Sequence, residues 1–371
     1  MIKHNASNER IKRHYFTFLT EAKHHSEATA DEAAAALARF EEHSKYRDFK
    51  AFRHQQAVAF KEYLTEQNNV VTKKRLSKAT LHATLSQLKR FFQWLALQPG
   101  YKSQLNYSDA EYFNLSTKDS RVASARRPRA VASLEQVRQV IFSMPGSSEI
   151  EQRDRAVIAF TLLTGARDGA IASMKLKHVD LVAGNVFQDA RDVKTKFSKT
   201  FTTTFFPVGG DVREIVADWV RYLREVRHWS DEDPLFPATR IVLNDRMQWE
   251  AVGVEPKHWS NATAIRRIFH DAFAAVGMPY FNPHSIRNTL VHLGETRCKT
   301  PEDFKAWSQN LGHAHVLTTF TSYGEVPARR QSEIIQALRT GRSVNAGGST
   351  EKLPEAMVRM LKEMGFERAV K

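Results

Sequence analysis

The chain has 371 residues, of which 42% are hydrophobic and 26% are charged, a composition that excludes a disordered protein and suits two or three globular domains. Lys and Arg outnumber Asp and Glu by 55 to 41, and the resulting net charge of +14 favours a polyanion such as nucleic acid as the partner. A merely soluble basic protein would carry the same charge. The single cysteine, Cys298, excludes an intrachain disulfide and a cysteine-based zinc cluster. With no signal peptide and no apolar run near the ~18 residues of a membrane span, we expect a cytoplasmic protein without membrane contact.

The first 115 residues are predicted to be helical. Residues 1–46 alternate charged and Ala-rich stretches, which indicates a helical N-terminal extension with Thr29 as the cap of a short helix. Residues 47–115 are predicted to form a helical module, because apolar residues recur at helical spacing in two segments, the second capped by Ser77. Three consecutive cations between these segments are candidates for contacts with DNA phosphates: Lys73, Lys74 and Arg75. A solvated charged face is the alternative interpretation.

Residues 116–132 lack apolar periodicity and are rich in Ser, Ala and Arg, which predicts a basic linker between two domains. Three further candidates for DNA contacts lie in this linker: Arg126, Arg127 and Arg129. Their guanidinium groups would let the linker cross a phosphate backbone. A solvated hinge explains the same composition equally well.

A second domain is predicted over residues 133–340. Ser133 and Gln136 form a capping box at its start, and a strongly apolar helix then ends in Thr164-Gly165-Ala166-Arg167, where the glycine permits a sharp turn. Residues 178–206 change to an alternating, β-branched and aromatic pattern, which predicts a small antiparallel sheet with Lys194, Lys196 and Lys199 near a hairpin. Residues 341–371 are predicted to form a flexible link and a C-terminal helix.

Polar residues near the end of this second domain suggest phosphate chemistry. His284 and Arg287 are spaced i,i+3 and would share one face of a helix, His313 follows Leu311-Gly312, and Tyr323 comes ten residues later. Arginine presents a planar fork of donors that fits two oxygens of one phosphate. A tyrosine close to such donors can attack the phosphorus and hold it covalently. The pattern therefore predicts a phosphoryl-transfer enzyme that acts on DNA.

This chemistry needs neither a metal nor an organic cofactor. Fixed guanidinium groups can neutralise the charge that develops at phosphorus, and side chains can serve as the base for the phenol and the acid for the alkoxide. The sequence offers no carboxylate cluster for a metal and no Walker-type glycine loop, and the pair His313 and His315 is weak evidence for a metal site. We therefore expect no cofactor.

Taken together, these residues resemble the tyrosine recombinase family of the phage-integrase type. The order and spacing of these residues agree with the family across residues 133–340. The flanking sequence segments agree as well: LLTGARDGAIASMKLKHVDL, PHSIRNTL and LGHAHVLTTFTSYGEV. The resemblance implies a mainly α protein with a small antiparallel β-sheet, in which a helical core-binding domain precedes an α+β catalytic domain. The helical module of residues 47–115, followed by its basic linker, is similar to that core-binding domain.

The resemblance also implies a role for each catalytic candidate. Tyr323 would be the nucleophile that forms a 3′-phosphotyrosyl link and frees a 5′-hydroxyl. Arg167 and Arg287 would hold the non-bridging phosphate oxygens, with a further hydrogen bond from His313. His284 would assist proton transfer to or from the tyrosine. Lys194 would protonate the 5′-oxygen, because the segment KTKFSKT matches the sequence pattern of the family at this position. Lys196 is the alternative candidate.

The sequence departs from the family pattern at two positions. The acidic residue that the family commonly has three positions after the first arginine is replaced by Ala170, while Asp168 lies closer to that arginine. Tyr323 lies ten rather than nine residues after His313, and one extra residue rotates a regular helix by ~100°. We therefore predict a bulge or loop between Thr318 and Tyr323.

The favoured hypothesis is a site-specific recombinase, most simply the integrase of a mobile element, acting on double-stranded DNA as a homo-tetramer associated with the nucleoid. It leaves room for accessory DNA-bending proteins, and the tail after Gly348 is a candidate for docking onto a neighbouring protomer. The alternatives are a type IB-like topoisomerase with the same cleavage chemistry and a DNA-binding regulator that keeps the fold without catalysis.

Overall fold

The computed structural model of the protein describes residues 4–69, 73–125 and 130–313. The chain forms two compact units that divide between Arg127 and Pro128, inside the predicted linker. Most described residues are helical, and the strands form small antiparallel sheets, so the predicted fold class is confirmed. Among the described residues, no helix combines the length and the apolar character that a membrane crossing demands.

In the described residues of the first unit, five α-helices surround one aromatic core. The helices are α1 (Ala6–Thr17), α2 (Glu27–His43), α3 (His54–Glu66), α4 (Lys78–Leu95) and α5 (Thr117–Ser124). Phe52 stacks on Phe92 with ring centroids 3.8 Å apart, and Phe40 meets the same ring edge-on at 5.2 Å. Since Tyr15 and Phe40 are buried in this core, residues of the predicted N-terminal extension and of the predicted helical module share one interior.

Two details of this unit differ from the sequence-based expectations. Helix α2 is preceded by Ser26 as its N-cap residue, so the prediction that Thr29 caps it is wrong: Thr29 lies in the first turn, with its hydroxyl 3.2 Å from that of Ser26. The predicted linker contains α5, because the Ser116 hydroxyl accepts the Asp119 amide at 3.0 Å and starts a helix there. The arginines Arg126, Arg127 and Arg129 lie outside the described residues.

The second unit surrounds one buried helix, α7 (Glu149–Thr164). Residues from Ala156 to Thr164 are at most 2% exposed, because neighbouring helices cover α7 on several sides. These helices include α6 (Leu134–Ser143), α9 (Gly210–Arg221), α10 (Thr263–Ala275) and α11 (Pro283–Arg297). The predicted capping box of Ser133 and Gln136 at the start of α6 is confirmed. Two further helices, α8 (Asp168–Ile171) and α12 (Pro301–Asn310), carry functional candidates at their ends.

The predicted sheet of residues 178–206 is confirmed as an antiparallel arrangement of β1 (Val179–Asp180), β2 (Asn185–Gln188) and β3 (Phe201–Thr204). Its pairing runs from Asn185↔Thr204 to Gln188↔Phe201, which leaves residues 189–200 as a loop outside the ladder. A second, two-stranded antiparallel ribbon consists of β4 (Ala238–Leu243) and β5 (Trp249–Glu255), and it was not predicted from the sequence. Its exposed side chains, among them Trp249, hide the two-residue alternation of a half-buried strand.

Candidate active site

The turn after α7 places the first arginine. Gly165 ends the helix with φ +61°, and a Cβ at this position would come within 2.9 Å of Leu311 Cδ2. A larger residue would be strained in this conformation and would also collide. The chain then makes Arg167 the N-cap residue of α8. Burial lowers the pKa of Arg167, and among the described residues no group forms a hydrogen bond or ion pair with its guanidinium.

The second arginine, Arg287, lies in the first half of α11, where Asn282 caps the helix and Pro283 is its first residue. Its side chain is 4% exposed. Nη1 donates to the carbonyl oxygen of Gly165 and Nη2 to that of Leu311. Because these carbonyls lie at the C-terminal ends of α7 and α12, the guanidinium meets the partial negative charge of two helix ends. Arg287 thus joins three helices at the site.

His313 follows α12 and contacts Arg287. Its Nε2 lies 3.0 Å from Arg287 Nη2, and since arginine can only donate, Nε2 accepts and the neutral ring carries its proton on Nδ1. Burial, reinforced by the charges of Arg287, Arg167 and Lys196, lowers the pKa of His313 to about 4. The ring is therefore neutral at physiological pH and can donate one hydrogen bond from Nδ1.

His284 belongs to the same charge cluster. It lies in the first turn of α11, one helical turn before Arg287, as its i,i+3 spacing predicts. Burial lowers its pKa, and the charges of Arg287 and Arg167 lower it further. A neutral histidine can accept a proton, so this environment suits a group that assists deprotonation of a phenol.

The loop between β2 and β3 distinguishes the two candidate lysines. The Lys194 amide donates to Ser173 Oγ at 2.8 Å, and the Lys194 charge lowers the pKa of His258. The Lys196 charge instead lowers the pKa of His284 and His313. The charges of the two lysines thus act on different histidines among the described residues.

The structure thus brings four of the predicted catalytic residues together: Arg167, His284, Arg287 and His313. Tyr323 and the predicted bulge before it lie outside the described residues. Sequence reasoning missed the carbonyl oxygens of Gly165 and Leu311, because a backbone acceptor leaves no mark in side-chain identity.

The acidic position of the family is filled by an apolar residue. Ala170 is 1% exposed, whereas the carboxylate of Asp168 accepts the Arg266 Nε at 2.8 Å. Arg266 comes from α10, so the negative charge next to Arg167 is bound to a cation 98 positions away in the chain. The sequence contained no signal for this pair beyond the presence of Asp168.

The described DNA-binding candidates lie in the first unit. No ion pair with another described residue neutralises Lys73, Lys74 or Arg75. Two other cations of this unit are neutralised: Lys78 pairs with Asp119 at 3.0 Å and Lys89 with Glu111 at 2.7 Å. The three candidates thus keep their charge for an outside anion.

The lowered pKa of His313 predicts a pH dependence of stability. An unfolded chain takes up a proton at His313 near pH 6.5, whereas the folded site resists protonation until about pH 4, so acidification favours the unfolded chain. Between pH 7 and pH 5 this group should remove at most about 2 kcal/mol of stability. Urea unfolding at both pH values should show a smaller loss in His313→Gln than in the parent protein.

The matched control is His25→Gln, on the surface of the first unit, which should leave the parent pH dependence unchanged. Equal losses for the parent and His313→Gln would contradict the assignment of a buried neutral ring.

Comparisons with known proteins show the family of the chain. The sequence matches the model of the Phage integrase family over residues 133–329. Tyrosine recombinase XerC of Halalkalibacterium halodurans is 21% identical over 313 residues, covering 82% of this chain and 89% of that protein. Tyrosine recombinase XerC 2 of Ralstonia nicotianae is 27% identical over 247 residues, covering 66% of this chain and 60% of that protein.

Solved structures show the same fold. A lambda integrase(75–356) dimer bound to a COC' core site has a TM-score of 0.57 at 14% identity and covers 87% of this chain and 96% of that chain. The XerH site-specific recombinase bound to palindromic difH has a TM-score of 0.56 at 17% identity, and the match covers 89% of this chain and 83% of that chain. The Tn1549 transposon integrase (82–397) in complex with transposon right end DNA has a TM-score of 0.57 at 13% identity, and the match covers 89% of this chain and 99% of that chain.

Proposed function

Since the chain belongs to the phage integrase family and is a site-specific tyrosine recombinase, we propose that it cleaves and rejoins DNA strands through a 3′-phosphotyrosyl intermediate formed by Tyr323. The observation that carries this proposal is the convergence of Arg167, His284, Arg287 and His313 from separate segments into one cationic site. A scissile phosphodiester is the ligand that such a site suits, because its charge increases as the phosphorus is attacked.

In the proposed reaction the Tyr323 oxygen forms a bond to phosphorus while the bond from phosphorus to the 5′-oxygen breaks. Arg167 and Arg287 would hold the non-bridging oxygens, with Arg287 fixed by its two carbonyl partners. His313 would donate from Nδ1, since its Nε2 is occupied by Arg287. His284, neutral in this environment, would take the phenol proton. Attack by a 5′-hydroxyl reverses each step, and one phosphodiester is exchanged for another without an external energy source.

We propose Lys196 as the proton donor for the 5′-oxygen. The sequence pattern favours Lys194, but the charge of Lys196 is among those that lower the pKa of both His284 and His313. Both lysines lie on the loop between β2 and β3, so a loop movement on DNA binding would act on both.

A leaving-group experiment separates the two lysines. Lys196→Ala should slow single-turnover cleavage of an ordinary duplex by ~10²-fold or more, because the alkoxide then departs without a proton. A duplex with sulfur in place of the 5′-bridging oxygen should restore the rate, since a thiol of pKa ~8.5 leaves unaided. Lys194→Ala should behave like the parent protein on both duplexes.

The opposite pattern, with sulfur rescue in Lys194→Ala alone, would return the role to Lys194. A slow reaction of Lys196→Ala on both duplexes would contradict a role in leaving-group protonation.

We further propose that the protein is the integrase of a mobile element and acts as a homo-tetramer on two paired duplexes in the cytoplasm, associated with the nucleoid. The solved complexes of lambda integrase and of the Tn1549 transposon integrase support this assignment by fold. The first unit would contact DNA through Lys73, Lys74 and Arg75, and Arg126, Arg127 and Arg129 of the predicted linker would contact DNA as well. The tail after Gly348 would dock onto a neighbouring protomer, and accessory DNA-bending proteins would be further partners.

Covalent trapping tests the proposed function. Nicked suicide duplexes that tile the DNA next to the gene release, after cleavage, the short fragment that carries the new 5′-hydroxyl, so a recombinase should accumulate as a protein–DNA adduct on the duplex that contains its site. A regulator without catalysis would form no adduct on any duplex. A type IB-like topoisomerase would relax supercoiled plasmids regardless of the presence of that site.

A further inference from the structure

The loop that carries Lys194 and Lys196 has little support from the sheet itself. Strand pairing stops at Gln188 and Phe201, and Phe197 within the loop is 78% exposed. A proton donor has to reach hydrogen-bond distance of the leaving oxygen, and a supporting shell has to hold it there. The contacts that fix this loop are therefore part of the catalytic arrangement.

Asp192, two residues before Lys194, is the centre of a charge cluster at the start of the loop. Its carboxylate lies 2.8 Å from Lys177 Nζ and 3.2 Å from Lys175 Nζ. Both lysines also lie 2.8 Å from the carboxylate of Glu232. Hydrogen bonds from Lys177 and Lys175 hold the pKa of Asp192 far below its ordinary value, so this carboxylate is ionised throughout the neutral range.

His178 faces the same carboxylate from the interior. It is 3% exposed, and its Nδ1 accepts the backbone amide of Lys175 at 2.9 Å, so the neutral ring carries its proton on Nε2. This Nε2 lies 3.6 Å from Asp192 Oδ2 and has no hydrogen-bond partner among the described residues. Since a buried N–H without a partner is costly, the nearby negative charge of Asp192 compensates it electrostatically.

The segment that carries these groups also carries Arg167. Lys175, Lys177 and His178 follow α8, which begins directly after Arg167. A second link lies beside the first: the Ser173 hydroxyl accepts the Lys194 amide at 2.8 Å and donates to the Ala170 carbonyl at 3.0 Å. Val193 between the two links is 2% exposed and belongs to the core. The lysine-bearing loop is thereby fixed to the frame that positions the phosphate-binding arginine.

Isolated surface ion pairs contribute little to stability, because water and salt screen them. Here Lys175 and Lys177 each contact both carboxylates, next to the buried His178. Such a network determines where the loop lies more than it adds to the free energy of unfolding. We propose that Asp192 is a positioning residue for strand cleavage: it fixes the β2–β3 loop to residues 173–178 and so holds the proton-donating lysine at the leaving oxygen. This inference rests on the proposed function.

The test uses the isosteric variant Asp192→Asn. Its cleavage rate is measured on the suicide duplex that forms the adduct, once with a 5′-bridging oxygen and once with a 5′-bridging sulfur. Single-turnover cleavage of the oxygen duplex should slow by ~10- to 100-fold, part of the full effect of a lost general acid. The sulfur duplex should be cleaved at the parent rate, because a thiolate needs no proton donor. Adding Lys196→Ala to Asp192→Asn should slow the oxygen reaction no further than Lys196→Ala alone.

The matched control is Asp180→Asn, which makes the same change in charge at the end of β1 of the same sheet, where the side chain accepts the amides of Val182 and Ala183 and no others from the described residues. It should leave both rates unchanged. Equal slowing of both duplexes by Asp192→Asn would overturn the inference, since the defect would then lie in phosphate binding or folding, and so would an unchanged oxygen rate. Failure of the parent protein to form an adduct on either duplex would overturn the proposed function itself.

Discussion

Tyr323→Phe is expected to abolish the covalent protein–DNA adduct on the nicked suicide duplex. Phenylalanine has the same ring but no oxygen to attack phosphorus, so the rate should fall below detection. The variant should still bind the duplex with the parent affinity, because the cations that contact phosphates are unchanged. Gel analysis of the denatured adduct and a binding titration at fixed salt measure the two quantities.

Tyr280→Phe is the matched control. This tyrosine is 46% exposed and lies before α11, next to the pair of Asp168 and Arg266. The same chemical change should leave adduct formation at the parent level. An adduct that persists in Tyr323→Phe would assign the nucleophile elsewhere, and one that disappears only in Tyr280→Phe would assign it to that residue.

Arg287→Met should reduce both activity and stability by large amounts. The apolar side chain fills similar space but leaves the carbonyl oxygens of Gly165 and Leu311 without the donors that now bind them. Buried acceptors without partners cost ~1–3 kcal/mol each, so for the two carbonyls we expect ~2–6 kcal/mol less stability. Cleavage should fall by at least ~10²–10³-fold, because a fixed cation at the phosphate is lost. Sulfur at the 5′-bridging position should not rescue it, since this defect concerns the non-bridging oxygens.

Arg153→Met separates the two effects. Arg153 is 3% exposed in the same unit and donates to the Pro237 carbonyl at 3.1 Å and the Thr239 hydroxyl at 2.9 Å, but it is not among the groups that perturb His284 or His313. Its replacement should lower the urea midpoint while folded protein cleaves at the parent rate. If Arg287→Met lost no more activity than Arg153→Met at equal folded fraction, Arg287 would be structural only.

Local features were predictable because neighbours in the chain determine them. Ser133 with Gln136 marks a helix start through bonds that span three residues, and this start is found. The sheet of residues 178–206 follows from its alternation. Thr29 shows the limit: a helix can begin with either of two hydroxyl residues three positions apart, and Ser26 takes the cap position here.

The resemblance also located the arginines and histidines of the site, since their order along the chain carries the signal. It favoured Lys194 over Lys196 from the flanking residues alone, whereas the positions of the two lysines depend on the path of the loop between β2 and β3. That path depends on contacts of Asp192, Ser173 and Val193, which no pattern in the sequence connects. The ribbon of β4 and β5 was missed for a related reason, as its outward side chains do not show the pattern of a buried face.

The sequence by itself determined the helical character of the protein, the cationic excess that suits DNA, and the residue types and order of a phosphoryl-transfer site. Only the tertiary structure decided how those residues are held: Arg287 bonds to a carbonyl 122 positions away, and Asp168 pairs with an arginine 98 positions away. Side-chain identity records which groups can donate charge or protons, whereas their distances depend on contacts between segments remote in the chain. For this reason the sequence alone was sufficient to predict the chemistry, whereas the contacts that position the β2–β3 loop became known only from the tertiary structure.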